Sequence, residues 1–131
     1  MNNNRIHAKH KVYNVSYHIV WIPKYRKKLL NNAVAEELKK CLFEKAIQIG
    51  IKIEAYEIMI DHIHLFVKAN TNITISFIVQ QLKGYSSYVI RKKFVKLKTY
   101  KSLWTHSYFV ETIGSTNEEA IKKYIENQKN K

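Results

Sequence analysis

The chain has 131 residues, 46% of them apolar, with one cysteine, one proline and three glycines. That length suits a single domain spanning 1–131 with a real core, and the composition leaves no room for a flexible linker or an intramolecular disulfide. No apolar run reaches the ~18–20 residues of a membrane span, and the opening residues lack the apolar core of a secretion signal, so no membrane partner and a cytoplasmic location are expected.

Val12 to Ile22 alternates Tyr13, Val15, Tyr17, Ile19 and Trp21 with Asn14, Ser16 and His18, which predicts a first strand ending at Pro23. A basic loop, Lys24 to Lys28, follows. The spacing of Val34, Leu38, Cys41, Leu42 and Ala46 predicts a helix over 33–49, stopped by Gly50. Ile51 to Ile58 reads as a second strand, and Met59-Ile60-Asp61 as a turn into a third that contains His62 and His64. A second helix over 74–94 carries Ile75, Ile78, Val79, Leu82, Tyr85, Val89 and Ile90 on one side. Gly84 in its middle costs about 1 kcal/mol against alanine, which points to close packing or to a ligand. Tyr108 to Ile113 reads as a fourth strand. A last helix opens at Ser115, with Thr116 and Glu119 at capping-box spacing.

Strand, helix, strand, strand, helix, strand and a final helix fit an α+β fold. Its expected form is a ferredoxin-like antiparallel sheet with two helices on one face, plus a C-terminal helix. Alternation puts Ile63, Leu65 and Val67 on the covered face and both histidines on the other, which is expected to lie open.

The formal net charge is +13, and it is unevenly spread: no acidic residue falls before Glu36 or between Asp61 and Glu111. Such a basic stretch attracts polyanions, nucleic acid first, and its Tyr and Trp side chains can stack on unpaired bases. Lys83, Arg91, Lys92 and Lys93 are candidate DNA contacts by charge, although a merely solvated face has the same composition.

Two neighbouring imidazoles on a rigid strand can hold a divalent ion, but histidines so spaced are often simply hydrogen-bonded. Asp61 beside them is placed to orient a histidine or cap the turn. His18 reads equally as a structural hydrogen-bonding residue and as a neighbour of the metal. In the last helix, Tyr124 and Gln128 stand one turn apart on one side. Tyr124 reads either as an anchor to the core or as a phenolic nucleophile with an amide ligand beside it.

Five ordered blocks give these residues a context. They are Tyr17 to Arg26 (YHIVWIPKYR), Asp61 to Val67 (DHIHLFV), Gln81 to Tyr88 (QLKGYSSY), Trp104 to Val110 (WTHSYFV) and Tyr124 to Gln128 (YIENQ). Together they resemble the single-tyrosine HUH transposases of the IS200/IS605 type, over nearly the whole chain. Ile60 departs from the proline that many relatives have there. The resemblance implies an enzyme, a transposase that cuts and rejoins single-stranded DNA through a 5′-phosphotyrosine on Tyr124. It implies Mg²⁺ or Mn²⁺ held by His62, His64 and Gln128, recognition of hairpins at element ends, and a homodimer. Two rivals stay open: a domesticated relative that nicks or binds host repeats, and a non-enzymatic RNA-binding module.

Overall fold

The computed structural model describes residues 14–114 and 117–128. The expected start of the first strand at Val12 and Tyr13, and the Thr116 half of the capping box, lie outside them. Strands β1 (Asn14–Trp21), β2 (Lys52–Met59), β3 (His62–Asn70) and β4 (Phe109–Ile113) form one sheet in the order β2-β3-β1-β4, and every neighbouring pair is antiparallel. The helices are α1 (Asn32–Ile49), α2 (Ile75–Lys93) and α3 (Glu118–Gln128). The α+β architecture expected from the sequence is the one observed.

Local chemistry sets the helix ends. The Asn31 side chain accepts from the Val34 amide at 3.0 Å, and α1 stops at Gly50 with φ 79°. Thr74 caps α2 by accepting from the Phe77 amide at 3.1 Å. Both helices lie on one face of the sheet, where Leu38, Leu42, Ile78 and Leu82 pack with Ile19, Trp21, Ile63 and Leu65. Cys41 belongs to the buried interior, and burial pushes its thiol up to about 11, an unreactive value.

The opposite face is not open as the alternation suggested. Helix α3 crosses it, and Ile121 and Ile125 cover Ala55, Phe66 and Ile113. Phe66 is the physical reason. It shares the histidine side of β3, and only a covering element can shield such a ring from water. Polar ties hold α3 in place: Ser16 Oγ donates to Glu118 at 3.0 Å, Lys68 pairs with Glu118 at 3.4 Å, and Lys122 reaches Glu54 at 2.8 Å.

Strand β2 carries an irregularity between Ile53 and Ala55. Ile53 pairs with Val67, but Ala55 pairs with Phe66, so Glu54 is an extra residue. Side chains beyond it change face. Ile53 faces the helices, whereas Ala55 and Glu57 share the face of the histidines. Uninterrupted alternation would have kept Ile53, Ala55 and Glu57 together.

Gly84 is not there for close packing. A Cβ added to it would meet nothing within 4 Å. It borders a cavity of about 690 Å³ between α2 and the 101–108 connector, also lined by Lys24, Arg91, Lys101 and Tyr108. Among the described residues, no helix is long and apolar enough to cross a membrane.

Candidate active site

The register of the sheet sets a row of ionisable side chains across all four strands. Glu111 of β4 lies opposite His18 of β1. His18 lies diagonal to His64 of β3, whose own cross-strand partner on β2 is Glu57. His62 stands beside His64, their ring centroids 5.1 Å apart. Glu57, His62 and His64 each offer a ligand atom, and these atoms all lie within 4.8 Å of one another. A carboxylate oxygen with two imidazole nitrogens at that spacing fits a divalent cation.

Both imidazoles are anchored from behind. Asp61 Oδ1 lies 2.8 Å from His62 Nδ1, which fulfils the expectation that Asp61 orients a histidine. That hydrogen bond holds the Asp61 carboxyl below the usual range, aided by Arg26, which pairs with it at 3.4 Å. His64 Nδ1 lies 3.0 Å from His18 Nε2, and His18 Nδ1 lies 3.0 Å from Glu111 Oε2. His18 therefore has both features read from its position: it faces the site and it is hydrogen-bonded. Burial brings His64 down to about 4, with the neighbouring His18 and His62 adding to the shift. Its ring is thus neutral, as a metal ligand must be.

Tyr124 projects from α3 toward this cluster. Its ring centroid is 6.3 Å from that of His64, nearly perpendicular, and the residue is 52% exposed. The core contact of α3 comes instead from Ile125, the next residue, which is fully buried. Gln128 falls one turn later on α3, and its side chain lies outside the described residues.

The four basic candidates divide. Lys83 Nζ donates to the carbonyls of Thr105, His106 and Ser107 at 2.7, 3.1 and 3.2 Å, and burial lowers its pKa. Arg91 braces Ser87 and the Tyr100 carbonyl, and Lys93 pairs with Glu37 at 2.7 Å. Lys92 leans on the exposed ring of Tyr88. Glu57 and Glu111 escaped sequence reasoning. Glu57 had one weak signal, a carboxylate within a strand of apolar residues, but its face depends on the bulge.

Residues 11–128 match the family described as "Transposase IS200 like". The ISDra2 transposase TnpA of Deinococcus radiodurans is 36% identical over 126 residues, covering 92% of this chain and 88% of that protein. The transposase for insertion sequence element IS200 of Salmonella typhimurium is 33% identical over 126 residues, covering 91% and 80%. A crystal structure of a putative transposase from Deinococcus radiodurans superposes with a TM-score of 0.74 at 37% identity, covering 90% of this chain and 93% of that one. A REP-associated tyrosine transposase bound to a REP hairpin shares the fold, with a TM-score of 0.69 at 12% identity, covering 87% and 66%.

Proposed function

This chain belongs to the IS200-like transposase family of DNA-processing enzymes, and from that premise we propose that it cuts and rejoins single-stranded DNA with Tyr124 as the nucleophile. The observation that carries the reading is the approach of the Tyr124 ring to His64 within one chain, on a helix that leaves the phenol accessible.

His62 and His64 hold Mg²⁺ or Mn²⁺ in this reading. Glu57 joins them from β2, and Gln128 is the further ligand that the family resemblance implies. When bound, the cation supplies positive charge to a non-bridging phosphate oxygen. Tyr124 forms the new oxygen–phosphorus bond as the bond to the 3′-oxygen breaks, and the net proton passes from phenol to the departing oxygen. The products are a 5′-phosphotyrosine and a free 3′-hydroxyl. Because a phosphodiester is exchanged for a phosphodiester, a 3′-hydroxyl can reverse the step without a nucleotide cofactor. A free tyrosine has a pKa near ~10, so attack at neutral pH depends on help from the site.

The partner is single-stranded DNA with hairpins near its ends, and the protein works as a homodimer in the cytoplasm. The hairpin bound by the structurally similar REP-associated transposase supports that choice of substrate, and the net charge of +13 supports a polyanionic one. The test is incubation of the protein and Mn²⁺ with end-labelled oligonucleotides from the gene's own flanks, resolved on denaturing gels. A labelled protein–DNA adduct that disappears with a chelator is expected. Cleavage without covalent capture would refute the tyrosine chemistry.

A further inference from the structure

Two anchors orient the paired histidines, and they are built differently. His62 takes its carboxylate from the adjacent residue, Asp61. His64 takes its own from Glu111, on a strand that is not its neighbour, through the ring of His18. We propose that Glu111 and His18 form a relay that fixes the hydrogen of His64 on Nδ1 and so presents Nε2, with its lone pair, to the cation. The proposal rests on the metal site described above and adds two positioning residues to it.

The directions follow from what each group can do. A carboxylate only accepts, so at 3.0 Å from Glu111 Oε2 the His18 Nδ1 must donate. A neutral ring with its hydrogen on Nδ1 has only Nε2 left as acceptor. That Nε2 lies 3.0 Å from His64 Nδ1, so His64 donates there and its remaining nitrogen, Nε2, is bare. The two rings lie within 12° of parallel, their centroids 5.3 Å apart, which holds the second ring in plane with the first. His18 is 7% exposed, and the edge of the Phe109 ring covers it. The same logic leaves Nε2 bare on His62. Both ligands thus offer the same nitrogen, oriented by carboxylates on opposite sides of the site.

The relay is read most directly in metal-free protein at neutral pH, by long-range nitrogen-15 correlation spectra that report which ring nitrogen carries the hydrogen. His64 is expected as the Nδ1–H tautomer. His18→Leu should convert it to a mixture or to Nε2–H. The same change should weaken Mn²⁺ binding, followed by calorimetry, by about tenfold or more. His18→Gln retains an acceptor oxygen and should recover most of that affinity. Glu111→Ala alters a half-exposed side chain and should give a smaller loss in the same direction, so the test survives if His18→Leu fails to fold. A parent protein with its hydrogen on His64 Nε2 would overturn the proposal, as would parent-like Mn²⁺ affinity in both His18→Leu and Glu111→Ala. Failure of the parent to bind Mn²⁺ would refute the metal site instead, and the tautomer spectra would still decide the relay.

Discussion

On one face of the sheet, two long helices interlock Leu38, Leu42, Ile78 and Leu82 with Ile19, Trp21, Ile63 and Leu65. On the other, an 11-residue helix meets the small cluster of Ala55, Phe66 and Ile113 through Ile121 and Ile125, and shares the surface with histidines and carboxylates. The contrast separates two tasks. The first face holds the fold together. The second carries a polar row and a helix fastened by a few apolar contacts and ion pairs, the kind of element that detaches at low cost. Chemistry sits where packing is thin, because ligands and substrate need the space that a full apolar layer would fill.

That division can be tested by perturbing each side. The largest effect is expected from Tyr124→Phe: covalent capture of DNA should fall to background in the gel assay. Thermal stability should stay near the parent's, because the phenol is half-exposed. An adduct that persists would remove Tyr124 from its role.

Next comes a paired measurement. Leu82→Ala on the helical face should lower global stability by about 2–5 kcal/mol in denaturant titrations. Ile125→Ala removes the anchor of α3 and should cost less globally. Amide-exchange protection should fall in α3 while α1 and α2 keep theirs. Equal global losses, with uniform loss of protection, would show that the two faces unfold as one.

A smaller effect is expected from acid. Burial depresses His64 in the folded chain to about 4 from an ordinary 6.5, so the unfolded chain binds the proton first as pH falls. Metal-free protein should therefore keep this contribution in full above pH 6.5 and lose it progressively down to about pH 4. His64→Asn should flatten that part of the stability profile. The smallest effect is expected from Lys122→Ala, which breaks the pair with Glu54. A partly exposed pair of this kind contributes about 0–1 kcal/mol, and the loss should shrink as salt is added.

Much of this arrangement was legible in the residues. Alternation in β1 and β3, the helical spacing closed by Thr74 and Gly50, and the His-x-His and Tyr-Gln spacings each depend on local sequence alone. Glu57 and Glu111 were not legible, because their places depend on which strands pair and in what register. Charge likewise gave the sign of Lys83, Arg91 and Lys93 but not their partners, and all three turned out to brace neighbouring backbone or carboxylates. The cover over Phe66 was missed because alternation assigns a residue to a face without saying what lies above it.

The extra residue in β2 has one more consequence. Glu54, which receives Lys122 from the tyrosine helix, and Glu57, which looks toward the imidazoles, stand on the same backbone dislocation. Deleting Glu54 would join Ile53 to Ala55 with their partners Val67 and Phe66 unchanged, so the second carboxylate would stay opposite His64 while the tether to Lys122 was lost. Metal affinity should then persist while the helix that carries the nucleophile loses one of its ties, so one lesion would separate the seat of the cation from the placement of the phenol.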